Sequence, residues 1–141
     1  MLNRVMITGT RDLTPDVEFL MTFALNWTAS YSEKDCLLLQ GGARGVDRAG
    51  KQIWNSYGLP DKVFEADWEK YNNAAGGIRN QEMVDYNPEI CLAFPGPESK
   101  GTWDAIRRAK QARILTFVLQ DKDSMYKLYY YTVLNPGVPL E

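Results

Sequence analysis

Residues 36–58 read Cys-Leu-Leu-Leu-Gln-Gly-Gly-Ala-Arg-Gly-Val-Asp-Arg-Ala-Gly-Lys-Gln-Ile-Trp-Asn-Ser-Tyr-Gly, and this stretch decides the fold class. It opens with a continuous apolar run, which is typical of a strand buried on both faces. A glycine pair interrupts the run. Val46, Ala49 and Ile53 then recur at the spacing of an inward helix face, and Gly58 is a stop signal. The stretch therefore predicts a buried strand, a glycine-rich turn and a covering helix.

The same alternation of strand and helix patterns extends in both directions from this stretch. Thr14-Pro15 predicts a helix start, because threonine is a common N-cap and proline fits the first helical turn. The predicted strands are residues 4–8, 36–39, 62–66, 90–94 and 113–118, and the predicted helices begin at residues 15, 45, 78 and 102. Strands that alternate with helices form parallel sheets. We therefore predict a single Rossmann-like, doubly wound, mainly parallel α/β sheet with helices on both faces.

The length of the chain and the absence of interruptions predict one domain. The chain has 141 residues, which is enough to bury a core, and no linker, repeat or low-complexity tract divides it. We expect residues 1–141 to form one domain with its core at about 3–119. In the tail, residues 120–141, the tyrosine-rich stretch from Tyr126 to Leu134 predicts either an edge strand or a contact between subunits.

The composition excludes several classes of site. The chain has no histidine, which removes histidine triads and histidine metal sites. Cys36 and Cys91 lie far apart in apolar runs, which predicts buried, reduced thiols in a cytoplasmic protein. No apolar run approaches the roughly 20 residues of a membrane helix. The net charge of −2 argues against nucleic acid and anionic membranes. We expect no metal, no cofactor and no membrane or nucleic-acid partner.

Three glycine-bearing loops follow predicted strands, and each holds a cation. The carboxyl ends of parallel strands lie at one edge of the sheet, so the loops should meet there, the first and third beside the switch in strand order. Glycine lets backbone N–H groups approach a ligand, a helix start adds unpaired donors, and arginine or lysine pairs with phosphate. The loops hold Gly9-Thr10-Arg11, Gly41-Gly42-Ala43-Arg44-Gly45, and Pro95-Gly96 with Lys100-Gly101-Thr102. Together they predict a site for a phosphorylated small molecule.

These loops lack the two most familiar nucleotide signatures. The dinucleotide fingerprint G-x-G-x-x-G is absent after the first predicted strand, which argues against an ordinary NAD-dependent dehydrogenase. The P-loop signature G-x-x-x-x-G-K-[ST] is also absent, because Ser99-Lys100-Gly101-Thr102 has its elements in a different order. The sequence therefore argues against ATP hydrolysis by a Walker mechanism.

A set of motifs in a fixed order supplies a resemblance. The motifs are Gly41–Asp47, Ala66-Asp67-Trp68, Arg79–Met83, Phe94-Pro95-Gly96 and Gly101-Thr102. In this order they resemble the SLOG superfamily (the Smf/DprA–LOG group), and within it the YspA-like proteins of bacteria and phages, from Val5 to about Val118. The resemblance implies a Rossmann-like fold, a nucleotide or nucleotide-derived ligand, a homodimer or larger homo-oligomer, and a cytoplasmic location in a bacterial cell or phage-infected host.

The LOG enzymes of this superfamily split the bond between a base and ribose 5′-phosphate. They use an arginine in R-K-x-x-M and a glutamate in P-G-G-x-G-T-x-x-E. Arg79 matches the first motif, with Asn80 in place of its lysine. Ala105 stands where the glutamate is expected, and Asp104 is one residue earlier. This departure favours binding over catalysis, and we assign no catalytic residue.

Three charged residues have two possible roles each. Arg79 could bind phosphate bidentately, or could form an ion pair with Glu82 or Asp85 on its own helix. Asp47 and Asp104 could contact ribose or act as acid–base groups, or could compensate the dipole of a helix first turn. The sequence alone leaves these alternatives open.

We therefore predict a module that binds a nucleotide or nucleotide-derived ligand, as a sensor or a sequestering protein. The alternatives are a phosphoribohydrolase of nucleoside 5′-monophosphates and a DprA-like protein that binds single-stranded DNA. Trp68 could stack on a base or pack in a core or interface. The predicted ligand-binding residues are Gly9, Thr10, Arg11, Gly41, Gly42, Ala43, Arg44, Gly45, Asp47, Trp68, Arg79, Asn80, Pro95, Gly96, Lys100, Gly101, Thr102 and Asp104.

Overall fold

Strands and helices alternate along the chain in the computed structural model, which describes residues 1–134 and the side chains of residues 1–131. A 3₁₀ turn, Asn72–Ala74, joins the third and fourth helices. The elements are β1 (Leu2–Gly9), α1 (Pro15–Ala29), β2 (Ser32–Gln40), α2 (Val46–Ser56), β3 (Asp61–Val63), α3 (Trp68–Tyr71), α4 (Ala75–Asp85), β4 (Ile90–Phe94), α5 (Lys100–Gln111), β5 (Leu115–Val118) and α6 (Lys122–Leu134).

The strands form one parallel sheet in the order β3-β2-β1-β4-β5. The order changes direction at β1, so β1 and β4 flank the switch point at which ligands bind in such folds. Gly9 and Phe94, the last residues of these two strands, lie opposite each other. The predicted Rossmann-like, doubly wound α/β fold is confirmed, and its first and third glycine-bearing loops leave the sheet side by side.

The core consists of two clusters, one on each face of the sheet. Along β1, Val5 and Ile7 belong to one cluster and Met6 to the other, because successive side chains of a strand point to opposite faces. The first cluster packs against α1, α2 and α6, and the second against α4 and α5. Strands buried on both faces account for the continuous apolar runs in the sequence.

Local signals read from the sequence are also present in the structure. Thr14 caps α1, where its hydroxyl accepts the Val17 N–H at 3.3 Å, and Pro15 is the first helical residue. Both cysteines are buried and free, as predicted. Burial raises the thiol pKa of Cys36 to about 11 and that of Cys91 to about 12.

Two segments differ from the sequence prediction. β3 ends at Val63 and is shorter than predicted, and residues 67–77, which lie between the predicted strand 62–66 and the helix predicted from residue 78, form α3, the 3₁₀ turn and the start of α4. The edge strand predicted for the tail is wrong, because Lys122–Leu134 is a helix. The Ser124 N–H donates to Asp121 Oδ1 at 2.8 Å at its start, and Met125 and Leu128, one helical turn apart, enter the core. Residues 135–141 of the predicted tail lie outside the described residues.

Candidate ligand-binding cleft

Thr10 joins the three glycine-bearing loops at the carboxyl edge of the sheet. Its N–H donates to the carbonyl of Phe94 at 2.9 Å, and its own carbonyl accepts the N–H of Val46, the first residue of α2, at 3.0 Å. The loops after β1, β2 and β4 are therefore bonded to one another through a single residue.

Several of the loop glycines serve the packing of the loops. A Cβ on Gly9 would meet Val46 at 2.6 Å, and one on Gly96 would meet the Thr10 hydroxyl at 2.7 Å. Gly45 has a φ of +83° and lies against the backbone of Thr10 and Arg11. Side chains at these positions would separate the loops.

Three adjoining cavities open along this edge in the described part of the chain. The switch-point cavity, of about 570 Å³, lies between the loops after β1 and β4. The β2-loop cavity, of about 450 Å³, lies between the loop after β2 and the segment that leads into α3. The α4–α5 cavity, of about 800 Å³, lies between those two helices. Arg11 and Arg79 line all three, so the cavities form one cleft with two arginines at its centre.

Most of the predicted ligand-binding residues line this cleft. Of the predicted residues that do not line the switch-point cavity, Gly41, Gly42 and Trp68 line the β2-loop cavity, and Asp104 lines the α4–α5 cavity. Gly45, Pro95 and Gly96 line none of the three cavities and build the loops instead. The predicted residues on the switch-point cavity are Gly9, Thr10, Arg11, Ala43, Arg44, Asp47, Arg79, Asn80, Lys100, Gly101 and Thr102.

Arg79, on α4, is fixed at two of its three guanidinium nitrogens. Nη1 donates to the Gly41 carbonyl at 2.8 Å, and Nε donates to Asn80 Oδ1 at 3.0 Å. Nη2 makes no hydrogen bond with the described residues. The alternative ion pair with Glu82 or Asp85 is not formed. Burial lowers the pKa of Arg79, and the neighbouring Arg11 adds to this effect.

Asn80 ties Arg79 to the helix on the other side of the cleft. It is buried, and its Nδ2 donates to the Gly101 carbonyl at 3.1 Å and to Asp104 Oδ2 at 3.0 Å. These two acceptors fix the orientation of the amide, so its oxygen must face Arg79. Asn80 therefore positions the arginine beside it.

Asp104 is engaged by the arginines of its own helix. It accepts hydrogen bonds from Arg107 and from Arg108, the latter at 2.8 Å, and Arg108 also reaches Gln81 Oε1 on α4 at 3.1 Å. Burial alone would raise the pKa of Asp104, but the hydrogen bonds from Arg108 and Asn80 outweigh it and lower that pKa. Asp104 thus acts as an ionised link between α4 and α5.

Asp47, in the first turn of α2, closes the loop after β2. Its Oδ2 accepts the N–H groups of Gly41 at 3.2 Å and Ala43 at 3.3 Å, while the Gly42 N–H donates to Gln40 Oε1 at 2.6 Å. Only 7% of Asp47 is exposed, and burial raises its pKa to about 6 although these N–H groups and Arg79 favour the charged form. Three of the N–H groups that the sequence suggested for a ligand, those of Gly41, Gly42 and Ala43, are used inside the loop. The charge available to a phosphate at this loop comes from side chains.

At the start of α5, unlike in the loop after β2, no described side chain caps the backbone N–H groups. Ser99 precedes the helix without capping it, because its hydroxyl accepts the Gly96 N–H at 2.7 Å instead. The first residues of the helix, Lys100, Gly101 and Thr102, line the switch-point cavity. This end of the cleft therefore presents the positive end of a helix and a lysine.

Sequence reasoning missed several residues that line or support the cleft, among them Arg48, Gln40 and Arg108. Arg48 lines the β2-loop cavity from the first turn of α2, and its closeness in sequence to Arg44 could have indicated a shared wall. Gln40 and Arg108 act through contacts with distant segments, namely Asp61 and Gln81. No local pattern in the sequence marks those contacts.

Two further observations concern the part of the chain that the structure describes. It holds no group of three or more histidine, cysteine, aspartate or glutamate residues that could bind a metal ion. Among these residues no helix is both long and apolar enough to span a membrane.

Comparison with known proteins places the chain in a family. No family model matches it. It is 34% identical over 129 residues to Gene 61 protein of Mycobacterium phage D29, which covers 86% of this chain and 99% of that protein. The chain belongs to the Gene 61 protein family.

Solved structures relate this Gene 61 family member to proteins of the same fold. DNA processing protein A (DprA) from Streptococcus pneumoniae aligns with a TM-score of 0.66 and 11% identity over 96% of this chain, which spans only 58% of the DprA chain. The molybdenum cofactor binding protein from Rippkaea orientalis aligns with a TM-score of 0.64 and 15% identity over 96% of this chain and 86% of that one. The fold is thus a Rossmann-like fold of the DprA type.

Proposed function

We propose that this Gene 61 family member binds a nucleotide or nucleotide-derived phosphorylated ligand in the cleft at the carboxyl edge of the sheet. In this proposal it is a sensor or sequestering protein and belongs to the YspA-like branch of the SLOG superfamily. The observation that carries the proposal is the placement of Arg79, which lies at the centre of the cleft with Nη2 unpartnered among the described residues.

The surroundings of Arg79 support a phosphate ligand. Its charge lies beside that of Arg11, and Asp47 is the carboxylate that offsets both. One carboxylate against two arginines leaves an excess of one positive charge at this point. A planar guanidinium matches the oxygens of a phosphate in a bidentate contact. Across the switch-point cavity, the uncapped start of α5 offers further donors.

The state of Asp104 favours binding over hydrolysis. A general acid must hold a proton at the working pH, but Asp104 is ionised and paired with Arg107 and Arg108. Ala105, which occupies the place of the LOG glutamate, is buried and offers no acid–base group. We therefore keep the phosphoribohydrolase as the alternative and expect little or no turnover.

Isothermal titration calorimetry with AMP, ADP-ribose, NAD and cyclic AMP tests the binding proposal. We expect one or more of these to bind, and Arg79→Lys, which keeps the charge but loses the planar fork, to weaken binding about tenfold or more. Arg113→Lys is the matched control, because Arg113 precedes β5 at the opposite edge of the sheet. Absence of heat with every compound at high micromolar concentration, or equal affinities for the two variants, would contradict the proposal.

Chromatography of AMP, CMP and GMP after long incubation with the protein tests the alternative. We expect the three nucleotides to remain intact. Release of free base by the wild type, lost in Asp104→Asn, would instead support the phosphoribohydrolase.

A further inference from the structure

The β2-loop cavity carries an unusual concentration of positive charge. Among the described residues, four arginines line it against one carboxylate, Glu65, for a formal excess of three positive charges. The switch-point and α4–α5 cavities each set four cations against three carboxylates, an excess of one. The whole chain carries −2. The four arginines are Arg11, Arg44, Arg48 and Arg79.

Apart from Asp47, which offsets Arg11 and Arg79, the protein does little to neutralise these arginines. The side chains of Arg11 and Arg48 make no ion pair or hydrogen bond with the described residues. Arg44 has a partner in Asp12 at 3.6 Å, but the two side chains are 67% and 87% exposed, and such pairs contribute little. Arg44 lies in the loop before α2 and Arg48 in the first turn of that helix, and both line the cavity. An anion there would compensate these like charges.

The walls of the cavity fit an anion bound by side chains. The N–H groups of Gly41, Gly42 and Ala43 are occupied by Asp47 and Gln40, so the positive charge that an anion would meet here comes from the guanidinium groups. Arg11 and Arg79 face both this cavity and the switch-point cavity. A ligand bound to Arg79 can therefore extend into the β2-loop cavity without leaving the arginines.

We propose that the β2-loop cavity is a second anion subsite, and that the ligand of the cleft carries two or more linked phosphates. The first phosphate lies at Arg79 and the next lies between Arg44 and Arg48. This inference rests on the proposed function. A volume of about 450 Å³ and a chain with net negative charge favour a small nucleotide over a strand of nucleic acid.

Titration calorimetry of the full chain with AMP and with ADP tests the inference. EDTA in the buffer removes divalent cations, so that the phosphates of both nucleotides carry their full charge. We expect the wild type to bind ADP about five- to tenfold more tightly than AMP, which is the size of one or two partly exposed ion pairs. In Arg48→Gln the ratio of the two dissociation constants should fall to about one. Arg113→Gln removes the same charge at the opposite edge of the sheet and should keep the wild-type ratio. Circular dichroism of each variant confirms that it is folded.

The outcomes separate the two proposals. If both nucleotides bind the wild type with equal affinity, the second subsite is wrong and the proposed function stands. If Arg48→Gln keeps the wild-type ratio, the subsite is also wrong. If neither AMP nor ADP binds, and ADP-ribose, NAD and cyclic AMP do not bind either, both proposals fail. A thymidine oligonucleotide that binds more tightly than ADP, and loses this affinity in Arg48→Gln, would overturn the inference in favour of single-stranded DNA.

Discussion

The guanidinium of Arg79 is held at two nitrogens before any ligand arrives. Gly41 contributes a carbonyl from the end of β2, and Asn80 contributes an amide oxygen that is itself fixed from α5. The side chain therefore loses little conformational freedom when it binds, which is the advantage of a preorganised site. Motif comparison singled out Arg79 but could not reveal these supports, because Gly41 lies 38 residues away in the sequence.

Replacement of Asn80 by alanine should cost both stability and affinity. Three hydrogen bonds of a buried side chain are lost, so we expect the free energy of unfolding to fall by about 2–3 kcal/mol. Urea denaturation measures this change. Gln81→Ala, the neighbouring change on the same helix, removes more exposed bonds and should cost about 1 kcal/mol or less. Equal losses for the two variants would show that Asn80 does not have the supporting role assigned to it.

Asp47 should give the protein an unusual dependence of stability on pH. Its folded pKa of about 6 lies above the ordinary value of 3.8, so the folded state binds this proton more tightly. The resulting stabilisation is fully present below pH 4 and is lost as the pH rises through 6. Asp47→Asn cannot ionise. Relative to wild type, the variant should therefore gain about 2 kcal/mol between pH 4 and pH 7.5 in urea denaturation.

Asp61 supplies a control of opposite sign for this experiment. Hydrogen bonds from Lys51 and Gln40 outweigh its burial and lower its pKa. Its stabilisation is present above the ordinary pKa and is lost as the pH falls. Asp61→Asn should therefore lose stability relative to wild type as the pH rises. A common direction for the two variants would contradict the role given to Asp47.

At the scale of elements, the start of α2 depends on a backbone conformation that favours glycine. Gly45 has a φ of +83°, and a Cβ there would overlap the backbone of Thr10 and Arg11. Gly58, after α2, has a similar φ of +78° but open space around it. A comparison of the two positions therefore separates the free-energy cost of a left-handed backbone conformation from the cost of the steric overlap at Gly45.

Alanine at these two glycines should destabilise to different degrees. Gly58→Ala should cost about 1–2 kcal/mol, the strain of a left-handed conformation for a residue with a Cβ. Gly45→Ala should cost more, because the loops after β1 and β2 must also move apart. Thermal unfolding followed by circular dichroism measures both. A Gly45→Ala variant no less stable than Gly58→Ala would contradict the close packing of the loops.

The elements that the sequence predicted well are those with a strong apolar period. The buried runs of β1, β2 and β4 and the inward face of α2 need only the pattern of their own residues. The tyrosine-rich tail was misread because aromatic residues favour strands, whereas the spacing of Met125 and Leu128 fits a helix that packs on α1. Residues 67–77 have no apolar period, so their short helices could not be predicted from it.

At the scale of the whole molecule, strand order brings the site together. The sequence correctly indicated that the loops after β1, β2 and β4 would share one edge, because parallel strands end on the same side. It could not show that Gln40 and Asp47 would occupy the loop N–H groups, or that Arg48 would join the cluster of arginines. Those facts depend on side-chain positions across elements far apart in the chain.

The predicted homodimer concerns the tyrosine-rich tail, which the sequence offered as a contact between subunits. Tyr126 and Tyr130 of α6 are each at least half exposed, and their ring centroids lie 6.2 Å apart, so they form an exposed aromatic pair. We expect light scattering to give about twice the chain mass of 16.1 kDa. Tyr130→Glu should favour the monomer, whereas Tyr86→Glu, at an exposed tyrosine after α4, should not. A monomeric wild type would contradict this prediction.

The position of Trp68 allows ligand binding in the cleft to be followed by tryptophan fluorescence. This indole is 52% exposed and lines both the β2-loop and the α4–α5 cavities, whereas Trp54 is fully buried and donates its Nε1 proton to the Cys36 carbonyl. A nucleobase stacked on Trp68 would quench its fluorescence and leave the emission of Trp54 unchanged. Titration of wild type and Trp68→Phe should therefore separate the signal of an occupied cleft from the background of the folded core, without any attached dye.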